Sequence, residues 1–445
     1  MTIGRVGIAT AAACLLAISA CSSGTQPAEG ISAPQEAVDA AKASALEAAG
    51  GKEIGGKVTM LGVLGGAELD AFNAVLAPFE EATGIDVQYE GTRDFAAILQ
   101  TRVDGGNPPD MVSTPAIGEL SALAAKGDLE NLRDIVGDDV LNANFSKSLL
   151  DTGSLNGELF GIFDQVNLGG LVWYDPKTYK GPTNPASWDE LQQWARSEEG
   201  AGTSPWCVGL ESGAASGWPA ADFIDEILLR QAGPEFHERW RNGQEPWNSP
   251  EVKKAFETYG ATVAGKMAYG GTTTVLSTNF AKAANPMFTS PPGCYLNQQA
   301  TFMGGIIMDS FPDLEVGTDL EFFPVPDFNP QFPGIRSISG EIIGVLTATP
   351  QSAALAKYFA TPEAATLIAA TGRWLSPNTN VKPDAYADPF LKKASQVLAD
   401  AKATQPLGNS LMAQTEVDAF WKAALDYTKN PDQLDAILAN IESAK

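Results

Sequence analysis

The chain has 445 residues, with 29 basic against 54 acidic side chains and a formal net charge of −25. This length is sufficient for two or three domains with more than one hydrophobic core. An acidic surface of this kind repels nucleic acid and anionic lipid and argues against a phosphate-bearing ligand. After residue 20, no apolar stretch reaches membrane-spanning length.

The first twenty residues are typical of a secretory signal peptide. One arginine precedes the apolar run VGIATAAACLLAISA, which ends in small residues. The run ISAC, ending at Cys21, resembles a bacterial lipobox, in which the cysteine carries the lipid. An ordinary signal peptide beside a coincidental cysteine is the alternative. We expect residues 1–20 to be removed and the protein to contact the membrane only through a lipid on Cys21.

Residues 21–56 are rich in Ala, Gly, Ser and Glu and poor in aromatic residues. This composition cannot bury a core, so it predicts a flexible linker with a helical portion at residues 37–49. The folded body is expected to begin near Lys57.

Strands and helices alternate from Lys57 onwards. The apolar segment KVTMLGVLGG predicts a strand, residues 67–84 predict a helix ended by Gly84, and residues 85–91 predict a second strand. The unit repeats with a helix at FAAILQTRVDGG, a short strand at PPDMVST and a helix at IGELSALAAK. This order predicts an α/β fold with a largely parallel, doubly wound sheet that binds ligands beyond its carboxyl ends. The strand ends that are candidate contacts are Gly65, Gly66, Thr114 and Pro115.

The chain is then expected to leave this sheet and enter another. Asn156 and Gly157 predict a tight turn between two apolar runs, and a strand follows that leads out to Asp175. Ser187 predicts a capped helix, SPWCVGLESG a strand and WPAADFIDEILLRQAG a helix. Ser249 predicts the cap of a further helix. A β-rich patch, DLEFFPVPDF to SISGEIIGVLTA, precedes four helical stretches that close the chain.

Two cysteines remain after Cys14 leaves with the signal peptide and Cys21 is assigned to lipid. Cys207 and Cys294 would pair in an oxidising compartment, and the long loop between them makes such a bridge worth about 3 to 5 kcal/mol. Two separately buried free cysteines are the alternative. A metal pair is disfavoured because no histidine lies near either cysteine.

The single histidine, His237 in PEFHERW, lies among charged residues without a plausible partner set, so we expect it to have no catalytic or metal role. Histidine-dependent nucleophilic catalysis and a histidine-built zinc site lose most of their support. A glycoside hydrolase needs only two carboxylates. Because Asp164, Glu211 and Glu341 each stand at a strand end or in a loop, a secreted glycoside hydrolase is kept as the alternative function.

The loop ESGAASGWPAADF places a tryptophan among small residues before a helix. It lacks the lysine ending of nucleotide-binding loops, so a phosphate cradle is disfavoured. Sugars need carboxylates and amides for their hydroxyls and a flat aromatic surface for their C–H faces. Trp218, with Glu211, Ser212 and Asp222 nearby, offers both. A second such group consists of Asn167, Trp173 and Tyr174. Most of five further tryptophans are expected to be packing residues, namely Trp188, Trp194, Trp206, Trp240 and Trp421.

Segments distributed over nearly the whole mature chain carry a family resemblance. They are YEGTRDFAAILQTRV, GNPPDMVSTP, GLVWYDPKTY with PASWDELQQWA, PWCVGLESGAASGWPAADFIDEILLR, PGCYLNQQATF, YFATPEAATLIAATG and GRWLSPN. Together they resemble the extracytoplasmic solute-binding lipoproteins of carbohydrate ABC importers, the group that includes maltose-binding proteins. More narrowly, they are similar to the branch for α-glucosides, trehalose and glucosylglycerol. The chain departs from maltose-binding proteins in the Gly-Gly that follows its first strand.

The resemblance implies a two-lobe periplasmic-binding-protein fold with a hinge between the lobes. Lobe 1 would comprise residues 57–165 plus 344–376, and lobe 2 residues 166–343 plus 377–445. The hinge would lie at IFDQVN and SGEIIG, and the cysteines of PWC and PGCYL would be paired. The resemblance further implies a monomer without cofactor, metal or enzymatic activity, which presents a small sugar to an ABC permease.

Ligand contacts carried over from the family come from both lobes. They are Gly66, Glu68, Arg93, Asp94, Thr114, Asp164, Asn167, Glu211, Ser212, Trp218, Asp222, Gly340, Glu341 and Arg373. For Arg373, a surface ion pair is an equal alternative, and Asp222 has a structural reason to be acidic near a helix N-terminus. We therefore expect capture of a small α-glucoside, with a disaccharide favoured. A binding protein for peptides, amino acids or an anion is the third option.

Overall fold

The structure, a computed structural model, describes residues 33–443. The predicted signal peptide at residues 1–20, the lipid site at Cys21 and the first part of the predicted linker lie outside the described residues. Among the residues described, no helix has both the length and the apolar character required to cross a membrane.

Helices and strands alternate through the described chain. The helices are α1 (Gln35–Ala48), α2 (Ala67–Thr83), α3 (Phe95–Asp104), α4 (Ile117–Lys126), α5 (Leu132–Val136), α6 (Asp138–Asn144), α7 (Lys147–Thr152), α8 (Trp188–Ala201), α9 (Trp218–Ala232), α10 (Pro234–Arg241), α11 (Pro250–Val263), α12 (Gly271–Ser277), α13 (Phe302–Ser310), α14 (Pro350–Phe359), α15 (Pro362–Ala370), α16 (Pro389–Ala399), α17 (Gln414–Lys429) and α18 (Leu434–Glu442). The strands are β1 (Lys57–Gly62), β2 (Asp86–Gly91), β3 (Met111–Thr114), β4 (Ser154–Leu155), β5 (Glu158–Leu159), β6 (Ile162–Leu168), β7 (Leu171–Tyr174), β8 (Ser204–Trp206), β9 (Cys294–Gln299), β10 (Glu321–Pro324), β11 (Ile335–Val345) and β12 (Ala403–Pro406).

The first sheet has the order β12-β11-β3-β1-β2, with β6 also paired to β11. Strand β1 runs parallel to β2 and β3, as the alternating pattern predicts, and Gly84 ends α2 in the left-handed conformation. Strand β11 runs antiparallel to β3 and β6. It returns to this sheet from the second one, so it enters from the opposite end, and the sheet is mixed rather than wholly parallel.

The second sheet has the order β10-β7-β9-β8. Trp173 lies in its middle, opposite Phe322 on one side and Asn297 on the other. The core on this sheet contains three tryptophans that are at most 1% exposed, at positions 206, 240 and 247. For Trp206 and Trp240 the predicted packing role is therefore confirmed.

Within residues 33–443, the chain passes from one sheet to the other at residues 169–170 between β6 and β7 and at residues 325–334 between β10 and β11, and residues 407–413 lead from β12 to α17. At the first crossing Gly170 has a φ of 61°, and a Cβ there would lie 1.8 Å from Glu226 Oε1. The predicted hinge segments IFDQVN and SGEIIG lie on β6 and β11, which pair with each other.

Helix α1 corrects the prediction that residues 21–56 form a flexible linker. The helical portion exists, but it packs against α2, α14 and α15. Ala41 and Ala45 are fully buried in that contact, and Lys42 Nζ lies 2.8 Å from Glu81 Oε2. Small residues four positions apart allow close helix packing, which an argument based on the lack of large apolar residues overlooks.

The two remaining cysteines are joined. Cys207 and Cys294 form a disulfide with an S–S distance of 2.07 Å and a Cα–Cα distance of 5.4 Å. Both are buried and pack against Met287. The bond links the segment after β8 to the start of β9, and the alternative of two free cysteines is wrong.

Candidate functional site

A cleft of about 660 Å³ lies where the carboxyl ends of β1 and β3 face the N-terminus of α9 and one side of α17. Ten predicted contacts line it: Glu68, Arg93, Asp94, Thr114, Pro115, Asn167, Trp218, Asp222, Gly340 and Glu341. The lining also includes residues that the sequence did not single out as contacts, among them Gln165, Phe280, Phe302, Trp374, Asn409, Asp418 and Trp421. The cleft is therefore lined by residues that follow β1 and β3, by residues of β6 and β11, and by helices on the second sheet.

Trp218 is the first residue of α9 and is held by other aromatic rings. Its ring meets Phe280 edge to face at 5.1 Å and Phe302 at 6.0 Å. The residue before it, Gly217, has a φ of 102°, and a Cβ there would lie 2.4 Å from the carbonyl oxygen of Trp421. Only glycine fits this turn. The small residues before Trp218 thus allow the loop to pack against α17 while the half-buried indole lines the cleft.

Trp421 extends this aromatic lining from α17. It was expected to be a packing residue, but it is half-buried and lines the cleft. Phe280 also lies under the guanidinium of Arg93, whose Cζ is 5.6 Å from the ring centroid. Arg93 therefore connects the first-sheet side of the cleft with the aromatic group on the other side.

Glu211 and Ser212 occupy different positions from the predicted ones. Glu211 braces its own loop: Oε1 accepts the Gly213 N–H at 2.8 Å and Oε2 accepts Asn279 Nδ2 at 2.7 Å. These two hydrogen bonds lower the pKa of the Glu211 carboxyl, and the bond from Gly213 has the larger effect. Ser212 lies beside the main cleft, in a smaller cavity of about 340 Å³ that shares Glu68 and Arg93 with it.

The floor of the cleft is rich in carboxyl groups. Burial raises the pKa of Glu341 well above its ordinary value, and repulsion from Asp164 and Glu68 raises it further, whereas Arg93 lowers it. Burial also raises the pKa of Glu68, against the opposing influence of Arg93 at 3.9 Å. Oε2 of Glu341 has no hydrogen-bond partner among residues 33–443. A protonated carboxyl in this position can donate as well as accept a hydrogen bond.

Asp164 lies under this floor. It is the extra residue where the register of β6 against β11 shifts, between the Gln165–Glu341 pair and the Phe163–Ile342 pair. It is 2% exposed and accepts a hydrogen bond from Ser113 Oγ at 3.0 Å. Burial raises its pKa to about 7. Asp164 therefore lies behind the cleft lining, where its charge contributes to the raised pKa of Glu341.

Gly66 and Arg373 lie outside the main cleft lining. Gly66 is an exposed residue that precedes α2 with a φ of 56°. The guanidinium of Arg373 makes two hydrogen bonds to the Asp309 carboxylate, at 2.8 and 2.9 Å. For Arg373, the structure matches the alternative of an ion pair.

A hydrogen-bonded pair of polar residues lies at the opposite wall. Asp222 Oδ1 accepts a hydrogen bond from Asn409 Nδ2 at 2.7 Å, and both residues line the cleft. Burial raises the pKa of Asp222 to about 7, with Asp225 and Glu226 raising it further and the Asn409 bond lowering it. Asn409 follows β12 in a segment without a motif, so its sequence carries no signal for this position.

His237 also differs from expectation. The sequence suggested a charged face without partners, but His237 is fully buried and its Nε2 lies 2.5 Å from Asp225 Oδ1. Across the described range, no group of three or more histidine, cysteine, aspartate or glutamate residues is arranged to hold a metal ion.

Known proteins resemble this chain in sequence and in its two-sheet architecture. Residues 65–366 match the family model described as bacterial extracellular solute-binding protein. The chain belongs to this family. The predicted resemblance is confirmed, and the protein is an extracytoplasmic binding protein and not an enzyme, so the glycoside hydrolase alternative is set aside.

Two relatives match this solute-binding protein over most of their length. It is 31% identical over 380 residues to the osmoprotective compounds-binding protein GgtB of Synechocystis sp., covering 84% of this chain and 89% of that protein. It is 30% identical over 408 residues to the alpha-glucosides-binding periplasmic protein AglE of Rhizobium meliloti, covering 88% and 87%.

Solved structures share the fold. The bacterial solute receptor AcbH superimposes with a TM-score of 0.74 at 19% identity, covering 88% of this chain and 98% of that one. Maltose-bound MalE3 of T. maritima superimposes with a TM-score of 0.68 at 17% identity, covering 87% and 98%. The predicted two-lobe binding-protein fold is confirmed.

Proposed function

We propose that this solute-binding protein captures a small carbohydrate for an ABC importer, and that the ligand is an α-glucoside of about disaccharide size. The observation that carries the proposal is the pairing of Trp218, held by Phe280 and Phe302, with carboxyl and amide groups in one cleft. A sugar presents C–H faces to aromatic rings and hydroxyls to such polar groups.

The size of the cleft supports a small ligand. Its volume of about 660 Å³ lies within the range of roughly 300 to 1,000 Å³ that is usual for small-molecule sites. The relatives support the sugar class, because AglE is named for binding alpha-glucosides and GgtB for binding osmoprotective compounds. The strongly acidic chain and the carboxyl-rich floor disfavour anionic sugars.

The ligand would contact both lobes. Glu68, Arg93, Asp94 and Thr114 line the cleft from the first-sheet side, and Trp218 and Asp222 line it from α9. The remaining predicted contacts belong to β6 and β11, namely Asn167, Gly340 and Glu341. A ligand that touches both sides favours the closed arrangement over the open one. We infer that the permease recognises this closed form.

The remaining parts of the proposal concern the whole cell-surface assembly. A signal peptide at residues 1–20 would direct export, and a lipid on Cys21 would tether a monomer near its permease. Metabolic labelling with a lipid precursor would test the anchor, because Cys21→Ala should abolish the label.

A thermal-shift panel tests the ligand class. The purified protein is heated with maltose, trehalose, sucrose, glucosylglycerol, glucuronate, a dipeptide or an amino acid. A ligand at 100 times its dissociation constant stabilises the folded state by about 2.7 kcal/mol. We expect a clear increase in Tm with at least one neutral glucoside and none with glucuronate. An increase only with the dipeptide or the amino acid would contradict the proposal, as would hydrolysis products in the same tubes.

A further inference from the structure

A chain of hydrogen bonds leads from the cleft wall to the single histidine. We infer that His237 is a positioning residue for ligand binding, which acts through Asp225 and Asn409 to fix the polar pair Asp222–Asn409 at the cleft. This inference rests on the proposed function, because it names the residue that aligns part of the proposed sugar site.

The cleft end of the chain is the Asp222–Asn409 pair, with Asn409 Nδ2 donating to Asp222 Oδ1 at 2.7 Å. This bond uses one of the two carboxyl oxygens and one amide hydrogen. The second Asp222 oxygen and the other polar atoms of the amide have the donors and acceptors that sugar hydroxyls require. The direction of the pair therefore decides which hydroxyls it can bind.

The buried end of the chain fixes the backbone of Asn409. Its N–H donates to Asp225 Oδ2 at 2.8 Å, and Asp225 Oδ1 lies 2.5 Å from His237 Nε2. Asp222 and Asp225 are three residues apart on α9, so both face the same segment. Asp225 and His237 are both 0% exposed. A buried carboxyl is costly without partners, so these two bonds fix how Asp225 is held.

Packing also couples His237 to the segment that carries Asn409. A Cβ on Gly408 would lie 3.2 Å from His237 Nε2 and 2.9 Å from the Trp240 ring. The His237 and Trp240 rings are themselves 5.6 Å apart. Residue 408 thus lies against these rings, and Asn409 follows it at the crossing from β12 to α17. Loss of the His237–Asp225 bond would release the segment that carries the amide.

The test compares two substitutions of His237. His237→Gln keeps an N–H donor within reach of Asp225, whereas His237→Leu removes the donor at similar volume. Binding of maltose and trehalose is measured by isothermal titration calorimetry on the full mature chain. We expect His237→Gln to bind within about threefold of the wild type and His237→Leu to bind about tenfold or more weakly, because His237→Leu leaves a buried carboxyl oxygen of Asp225 without its partner.

A double-mutant cycle separates positioning from general destabilisation. In the Asn409→Ala background, His237→Leu should cause little further loss of affinity, because the group that it aligns is already absent. Val252→Ala, in the same core on α11, is the matched control; it should lower Tm without changing affinity. Wild-type affinity in a folded His237→Leu protein, or independent losses in the cycle, would overturn the inference. If the wild type binds neither probe sugar nor any other neutral glucoside, the proposed function fails first, and this inference with it.

Discussion

Replacing Asp164 with asparagine should change how the stability of the protein depends on pH. Asp164 lies under the cleft floor, is 2% exposed and accepts a hydrogen bond from Ser113 Oγ. Burial raises its pKa from 3.8 to about 7, although the Ser113 bond acts in the opposite direction. The folded protein therefore holds a proton on Asp164 over a pH range in which the unfolded chain has lost it.

This difference in proton binding determines the direction in which the free energy of unfolding changes with pH. Because the folded state binds more protons between pH 3.8 and about 7, the free energy of unfolding decreases as pH rises across this window. One pKa unit corresponds to about 1.36 kcal/mol, so the full penalty is about 4 kcal/mol. About 3 kcal/mol of it develops between pH 5 and pH 8. The penalty is absent below the unfolded pKa and complete above the folded one.

Asparagine cannot ionise, and its amide oxygen can still accept the Ser113 hydroxyl. We expect Asp164→Asn to gain about 3 kcal/mol relative to the wild type when the pH is raised from 5 to 8. Urea denaturation of unliganded protein at pH 5, 6, 7 and 8 measures this difference. Part of the wild-type slope should remain in the variant, because the pKa values of Asp222 and Glu341 are also raised by burial.

Glu211→Gln is the matched control, because the hydrogen bonds from Gly213 and Asn279 outweigh the effect of burial and lower the pKa of this carboxyl. This variant should keep the wild-type decrease in stability from pH 5 to pH 8. If Asp164→Asn shows the same pH dependence as the wild type, the proton uptake assigned to Asp164 is refuted.

Three further predictions concern the aromatic group, the disulfide and the first crossing. Trp218→Ala should abolish most sugar-induced stabilisation in thermal shift while leaving the unliganded Tm nearly unchanged, and Trp218→Phe should retain part of the effect; undiminished affinity would assign the indole to packing. Replacing Cys207 and Cys294 together with alanine should lower the free energy of unfolding by about 4 kcal/mol in urea denaturation, because the bond closes a loop with a sequence separation of 87. Equal stability of oxidised wild type and variant would contradict this. Gly170→Ala should lower Tm by several degrees, since its Cβ would meet Glu226 Oε1 at 1.8 Å in a left-handed backbone conformation; an unchanged melting curve would show that the crossing relaxes freely.

Local patterns predicted the first half of the fold well. The segment from β1 to β3 follows the alternation of strand and helix periods, and Asn156 and Gly157 form the expected turn with φ values of 54° and 90°. The predicted strand SPWCVGLESG is shorter, because only Ser204–Trp206 pairs as β8. Further along, Glu211 forms an isolated bridge with Asn279, a partner distant in sequence that no local pattern reveals.

The site was predicted where its residues follow strand ends or belong to recognisable motifs. Thr114 ends β3, and Trp218 begins α9 after a glycine-rich loop. Asn409 and Trp421 were not predicted to line the cleft, because they reach it only through the late return of the chain, by way of β12 and α17. Asp164 was predicted as a contact, but its burial was not predicted. Burial beneath a neighbouring strand depends on the register of that strand, which the local sequence does not reveal.

The position of β11 in the first sheet sets a limit on folding order. This strand is the shared neighbour of β3, β6 and β12, yet it is synthesised long after β3 at residues 111–114 and before β12 at residues 403–406. Until residues 335–345 arrive, any sheet formed by β1, β2 and β3 has an unpaired edge on β3. Pairing across such sequence separation is slow, and exposed edges invite association between chains. We therefore expect the addition of β11 to be the step at which folding and aggregation compete.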